Sequence, residues 1–148
     1  MATKIRLQED LKEFLKSLAS NKVEYLLIGG YAVGYYGYPR PTGDLDVWIA
    51  IDPENAGRIV IALKEFGFET SPELFLQENN VVRMGVSPFR VEILTTIDGV
   101  DFRECYDKRH TDDIDGVQVT LIDLQHLLLN KRASGRLKDL NDLENLSK

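Results

Sequence analysis

The sequence predicts an α+β fold built on a mixed β-sheet, and three observations carry this prediction. Apolar residues repeat at helical spacing near both ends of the chain. Short apolar runs of strand length lie between these helical stretches, and the helices and strands follow one another without a regular repeating unit. With 148 residues, 43% of them hydrophobic, the chain is expected to form a single domain over residues 1–148.

The first predicted elements alternate helix and strand. Residues 7–20 carry leucines at helical spacing with charged residues between them, which is typical of an amphipathic helix. Residues 23–28 form an apolar run that ends at two adjacent glycines, as a short buried strand would. Residues 31–36 are predicted to continue as a short helix. Two prolines indicate that residues 37–43 form a loop.

A second strand and a well-marked helix follow this loop. Residues 45–51 are predicted to form the strand, and residues 54–66 the helix. The sequence carries start and stop signals for this helix. Asp52 is its predicted N-cap, Pro53 lies in its first turn and Gly67 lies just past its end.

The C-terminal half is predicted to complete the sheet and then to end in helices. Residues 81–86 and 89–94 are expected to pair as a hairpin around a Ser-Pro turn. An Asp-Gly turn precedes a further short strand at residues 117–121. Residues 122–134 and 137–146 are predicted to form helices interrupted at a glycine.

Composition and charge limit the classes of partner. The formal net charge is -6, whereas proteins that grip long duplexes through phosphates are usually basic, so we expect no extended duplex DNA partner. No apolar run approaches the ~20 residues of a membrane span, so no membrane partner is expected either. The N-terminus lacks a signal-peptide pattern and Cys105 is the single cysteine, which together predict a cytoplasmic location.

Two aspartates lie one residue apart in the stretch GDLDVWI of the second predicted strand. Because side chains alternate along a strand, Asp44 and Asp46 are expected on one face, with Leu45 and Val47 on the other. Two carboxylates this close raise each other's pKa unless a cation neutralises them. Mg²⁺, with Mn²⁺ as the alternative, suits this role because it takes carboxylate and phosphate oxygens. The pair therefore predicts half of a metal site.

A third acid on a later strand completes the predicted site. Glu92 lies between Val91 and Ile93 in FRVEILTTI, where an unpaired charge is costly and a partner is therefore expected. With two ions, Glu92 and the two aspartates would serve the attacking and leaving oxygens of a phosphoryl displacement. These three acids are the candidate catalytic residues and metal ligands.

Two glycines and two polar loop residues are predicted to bind phosphate. Gly29 and Gly30 mark a strand-to-helix turn, where backbone can approach a ligand and free N–H groups point at an anion. Arg40 and Thr42 lie just before the aspartates and are suited to further phosphate contacts. These four residues are expected to bind a nucleoside triphosphate.

Each of these motifs has a structural alternative when it is taken alone. The glycines would then be a conformational turn, the aspartates a solvated strand edge, and Glu92 an exposed residue on a half-buried strand. Their combined order along the chain favours a functional site.

The same order of motifs resembles the nucleotidyltransferase superfamily that includes DNA polymerase β. Among its members, the chain is more closely similar to small bacterial proteins related to AbiEii-type toxins. Three stretches carry this similarity: GGYAV, YPRPTGDLDVWI and the C-terminal LLLNKRASGRLKDLNDL. The resemblance implies a polymerase β-like sheet core with flanking helices and a C-terminal helical segment. It assigns metal ligation to the three acids and the nucleotide-binding turn to the two glycines. Family members usually carry aspartate where this chain has Glu92.

The resemblance also favours Lys131 as a contact to triphosphate or acceptor. The alternative for Lys131 is a solvated helix end, where a cation complements the helix dipole. Asp139 and Asp142 are expected to pair with the cations around them rather than to bind metal.

Three functions stay open at this level. The first is metal-dependent transfer of a nucleoside monophosphate from a nucleoside triphosphate to an acceptor hydroxyl on RNA, a protein or a small molecule. The second is a weakly active or inactive nucleotide-binding or regulatory module, for example a toxin–antitoxin component. The third is an α+β protein without a nucleotide site. The intact aspartate pair favours the first, because a decayed site has little reason to keep a costly paired charge.

Overall fold

The computed structural model describes residues 9–39, 43–85 and 90–146. The strands are β1 (Tyr25–Ile28), β2 (Asp44–Ile49), β3 (Val81–Met84), β4 (Arg90–Leu94), β5 (His110–Ile114) and β6 (Val117–Leu121). The helices are α1 (Glu9–Ser20), α2 (Gly29–Tyr35), α3 (Pro53–Glu65), α4 (Phe102–Asp107), α5 (Leu124–Ser134) and α6 (Leu137–Leu146), with a short 3-10 helix at Pro72–Phe75.

The six strands form one mixed sheet in the order β3-β4-β2-β1-β6-β5. The two central strands, β1 and β2, are antiparallel to each other. Each has a parallel partner on its outer side, β6 for β1 and β4 for β2. The outer pairs β3–β4 and β5–β6 are antiparallel. The predicted α+β class with a mixed sheet is confirmed.

Alternation along β2 divides its side chains between two faces of the sheet. Leu45, Val47 and Ile49 are buried in the larger apolar cluster, together with α1 and α3. Trp48 lies on the opposite face, in a smaller cluster with residues of α2, α4 and α5. Asp46 is two residues before Trp48, so the predicted site belongs to this second face.

Local signals in the sequence account for the best-defined helices. The buried face of α1 consists of Leu11, Phe14, Leu15 and Leu18, as the amphipathic spacing predicts. The side chain of Asp52 accepts a hydrogen bond of 3.1 Å from the backbone N–H of Asn55 and so caps α3.

Helix α4 and strand β5 were not predicted from the sequence. With six residues, α4 is too short to show a helical period, although Asp101 caps it by accepting a hydrogen bond from the N–H of Glu104. Strand β5 has the sequence HTDDI and only Ile114 in it is buried, because an edge strand needs no apolar alternation. It pairs with β6 through the predicted Asp-Gly turn, in which Asp115 and Gly116 both have positive φ.

Some predicted features fall outside the described residues. These are the start of the first helix, part of the loop before β2, and the turn between β3 and β4. Within the described ranges, no helix combines the length and apolar composition that a membrane span requires.

Candidate active site

Three carboxylates predicted from sequence lie together on the sheet. The parallel register of β2 and β4 sets Asp46 opposite Glu92 and Asp44 opposite Arg90. Neighbouring strands are about 4.8 Å apart, and residues in register point to the same face. All three acids line one cleft with a volume of about 470 Å³. The structure therefore brings Asp44 and Asp46, which alternate along one strand, together with Glu92 from the neighbouring strand.

A second part of the cleft lining, here called the C-terminal wall, comes from α5, α6 and the segment between them and is rich in cations and polar groups. It consists of Asn130, Lys131, Ser134, Arg136 and Lys138. The same cleft thus holds the three acids of the sheet and the cations of the C-terminal wall. A smaller cleft of about 290 Å³ beside Trp48 and Phe102 contains none of the predicted site residues, so the larger cleft is the candidate site.

The carboxyl of Asp46 is partly buried beside the other two acids. Burial, followed by repulsion from Glu92 and Asp44, raises its pKa to about 7, against the opposing effect of Lys138 and Lys131. Its Oδ1 is buried and has no hydrogen-bond partner among the described residues. A buried, unpaired carboxylate oxygen beside two further acids is an environment that a cation would stabilise. The chemistry of these oxygen donors therefore suits a divalent cation.

Gly29 brings backbone directly against this carboxylate. It begins α2 with φ of +70°, and a Cβ built on it would lie 2.2 Å from Oδ2 of Asp46. Only glycine fits here, because any side chain would overlap the carboxylate and strain the backbone. Gly30 is buried within α2. Gly29 therefore makes room for Asp46, a role that the sequence did not reveal.

Two arginines that the sequence reasoning missed bind the outer carboxylates. Arg90 donates two hydrogen bonds to Asp44, of 2.9 Å from Nε to Oδ1 and 3.1 Å from Nη2 to Oδ2. Arg83 donates from Nε to Oε1 of Glu92 at 3.0 Å. Among the described residues, no group of three or more His, Cys, Asp or Glu side chains is arranged to hold a metal ion. The acids are thus close together, while two of them are held by guanidinium groups.

Lys131 lies at the cleft but is buried and already paired. Its Nζ is 3.2 Å from Oδ1 of Asp139 and 3.2 Å from Oδ2 of Asp142. These aspartates pair with cations, as expected, and the burial of Lys131 contradicts the solvated-helix-end alternative. Burial alone would raise the pKa of Asp139, but hydrogen bonds from Arg136, Ser134 and Lys131 lower it to about 2.

Two predicted phosphate contacts, Arg40 and Thr42, lie outside the described residues. They stay predictions. For Arg90 the available signal is its spacing, since it is two residues before Glu92 and therefore shares its face, whereas Arg83 has no such signal.

Comparison with solved structures supports the fold. A candidate nucleotidyltransferase from Thermotoga maritima is 17% identical, with a TM-score of 0.58 over 93% of this chain and 88% of that one. An antigenic nucleotidyltransferase-like protein from Paracoccidioides brasiliensis is 20% identical, with a TM-score of 0.54 over 99% of this chain and 78% of that one. At these identities the likeness shows the fold alone.

Comparison of the sequence with protein families gives the assignment. No curated protein matches the chain significantly. The family profile described as nucleotidyl transferase of unknown function (DUF2204) matches residues 7–148, which is nearly the whole chain. The chain therefore belongs to the nucleotidyl transferases of unknown function.

Proposed function

We propose that this protein transfers a nucleoside monophosphate from a nucleoside triphosphate to an acceptor hydroxyl, with release of pyrophosphate. One observation carries the proposal: Asp44, Asp46 and Glu92 line a single cleft together with Lys131, Arg136 and Lys138. Acids that hold divalent cations beside cations that hold phosphates are the parts that phosphoryl transfer requires.

The carboxylates would hold Mg²⁺, with Mn²⁺ as the alternative. Two observations support this assignment: Oδ1 of Asp46 is buried without a hydrogen bond from any described residue, and two further acids lie beside it. When bound, the ion would neutralise the carboxylates and withdraw charge from the phosphate oxygens of the substrate.

The residues of the chain would position the substrate and take its proton. Lys138, and Arg136 beside its ion pair with Asp139, line the cleft, where they would hold the triphosphate by charge. Lys131, fixed by two buried aspartates, would add a positive potential to the C-terminal wall. The turn at Gly29 and Gly30 and the loop residues Arg40 and Thr42 are the further proposed nucleotide contacts.

The proposed reaction is an in-line displacement at the α-phosphorus. The acceptor oxygen forms a bond to that phosphorus, and the bond from the α-phosphorus to the oxygen that bridges to the β-phosphorus breaks. Pyrophosphate leaves with that oxygen and its electron pair, while Glu92 accepts the proton of the acceptor hydroxyl. Most of the rate enhancement would come from positioning and charge neutralisation.

The acceptor is the least defined part of the proposal. The AbiEii-type resemblance of the sequence favours a toxin-type reaction in the cytoplasm, with the hydroxyl on RNA or on a protein. A small hydroxyl compound is the other class that the cleft would admit.

Titration calorimetry tests this function. We would titrate Mg²⁺ together with each common nucleoside triphosphate into wild type and into Asp44→Asn/Asp46→Asn, with Asp52→Asn as the matched control. Asp52 caps α3 outside the cleft, and asparagine caps as well as aspartate does. Metal-dependent binding that is lost only in the double variant supports the proposal, and no binding of any triphosphate to wild type refutes it.

A second candidate is a nucleotide-binding or regulatory module that transfers slowly or not at all. The bonds from Arg90 to Asp44 and from Arg83 to Glu92 favour it, because they occupy two of the three acids. Incubation with α-³²P-labelled triphosphate, Mg²⁺ and a cell extract separates the two candidates. Label transferred to RNA, protein or a small product supports the enzyme, whereas tight binding without transfer supports the module.

A further inference from the structure

The β3–β4 pair supplies a cation to each of the two outer acids of the cleft. Arg90 lies opposite Asp44 in the register of β2 and β4, and Arg83 lies opposite Glu92 in the register of β3 and β4. Asp46, which lies between them, receives no such partner, and its Oδ1 makes no hydrogen bond to any described residue. The arginines thus neutralise the outer acids and leave the central one charged or protonated.

These ion pairs compete with any other cation for the same oxygens. In the Arg90–Asp44 pair both carboxylate oxygens accept from one guanidinium, which takes one lone pair of each oxygen and places a positive charge beside them. Arg83 donates a single hydrogen bond to Oε1 of Glu92 and so places its charge beside that acid. A divalent cation at these carboxylates therefore competes with both guanidinium groups for the same negative charge.

The exposure of the two arginine side chains indicates that moving them away from the carboxylates costs little free energy. The side chain of Arg83 is 62% exposed and that of Arg90 is 43% exposed, whereas Glu92 and Asp44 are 18% and 25% exposed. Ion pairs with such an exposed partner contribute little net stability, because water solvates the guanidinium once it is released. The carboxylates are the sheltered partners, so the arginines are the groups that would move.

A released guanidinium would have a second partner of matching shape in the same cleft. A phosphate presents two oxygens to an arginine as a carboxylate does, and both pairings are bidentate. Arg83 already lines the cleft, and Arg90 is bonded to Asp44, which also lines it. The phosphates of a nucleoside triphosphate bound there would form ion pairs with the two guanidinium groups once their ion pairs with the acids are broken.

We propose that Arg83 and Arg90 are exchange residues. They hold Glu92 and Asp44 when no divalent cation is bound, and they hold the phosphates of the triphosphate when the carboxylates hold the ion. The inference rests on the proposed function and adds a consequence to it. The metal ion releases the arginines for the phosphates, and the phosphates keep the arginines away from the carboxylates. Each ligand therefore raises the affinity of the protein for the other.

Binding of Mn²⁺ alone, measured by loss of its free electron paramagnetic resonance signal, tests the first half of the exchange. We expect Arg83→Gln/Arg90→Gln to bind Mn²⁺ about fivefold more tightly than wild type, because the competing cations are gone. Arg58→Gln is the control, since Arg58 has a similar exposure of 41% but pairs with Glu54 on α3, away from the cleft. It should bind Mn²⁺ as wild type does.

Nucleotide titration at saturating Mn²⁺ tests the second half. We expect the double variant to bind triphosphate about fivefold or more weakly than wild type, while Arg58→Gln is unchanged. Urea unfolding of each variant checks that the sheet is intact, and single variants replace the double one if it unfolds.

The outcomes separate this inference from the proposed function. Unchanged or weaker Mn²⁺ binding in every folded arginine variant, with wild type still binding metal and nucleotide, overturns the exchange and leaves the function standing. Wild type that binds neither ligand overturns both. Tighter Mn²⁺ binding combined with unchanged nucleotide affinity also overturns the exchange, because the arginines would then only mask the acids.

Discussion

Replacing Gly29 with alanine tests how closely the backbone and the central carboxylate are packed. Two penalties are expected. A non-glycine residue at φ of +70° costs about 1–2 kcal/mol. The new Cβ would lie 2.2 Å from Oδ2 of Asp46, and such overpacking adds about 1–3 kcal/mol. The free energy of unfolding of Gly29→Ala should therefore fall by about 2–5 kcal/mol.

Gly135 provides the matched control. Its φ is +64°, and the nearest heavy atom to a Cβ built there is the carbonyl oxygen of Arg132 at 3.8 Å. Gly135→Ala should therefore lose only the backbone penalty of about 1–2 kcal/mol. In an Asp46→Ala background, the extra cost of Gly29→Ala should shrink, because the 2.2 Å contact is gone.

Urea unfolding in the presence of a chelator measures the free energy of unfolding of each variant. Titration with Mn²⁺ measures whether the Asp46 carboxylate still contributes to metal binding. Gly29→Ala should weaken Mn²⁺ binding, because the Asp46 carboxylate has to move away from its present position. Equal losses of stability in the Gly29 and Gly135 variants, within about 0.5 kcal/mol, would refute the close-packing argument.

Three further predictions concern charge and capping. Because the pKa of Asp46 is raised to about 7, its contribution to stability without metal is full below the unfolded value near 3.8 and is lost as the pH rises through 7. Asp46→Asn should flatten that part of the stability–pH curve, measured by urea unfolding with chelator. Lys131→Met should lower the free energy of unfolding by about 3–5 kcal/mol, because Asp139 and Asp142 lose a buried cation; a loss below about 1 kcal/mol would contradict this. Asp52→Ala should cost about 1 kcal/mol in the same assay through loss of the α3 cap.

The central sheet could be predicted because its strands carry their own signal. β1 and β2 are short apolar runs with turn residues at their ends, and α3 has an N-cap, a proline in its first turn and a glycine beyond its last. α4 and β5 lacked such signals. A six-residue helix shows no period, and the polar edge strand β5 is defined by its pairing with β6 rather than by its own residues.

The candidate site could be predicted only where alternation along one strand was enough. Asp44, Asp46 and Glu92 stood out because charged residues interrupt apolar runs. The partners of Arg83 and Arg90 depend on the strand order β3-β4-β2, which a single sequence does not state. The contact between Gly29 and Asp46 likewise depends on the antiparallel pairing of β1 and β2, in which Ile28 lies opposite Asp46.

The register of β2 and β4 places Asp46 opposite Glu92, although another register would pair Asp46 with an arginine. A shift of two residues would leave every side chain on its present face and would set Asp46 opposite Arg90 instead of Glu92. Apolar alternation alone does not forbid that shift. The sheet instead keeps the repulsion between Asp46 and Glu92. Such a local conflict, called frustration, is one that natural sequences generally avoid. A chain selected only for stability would have relieved this conflict.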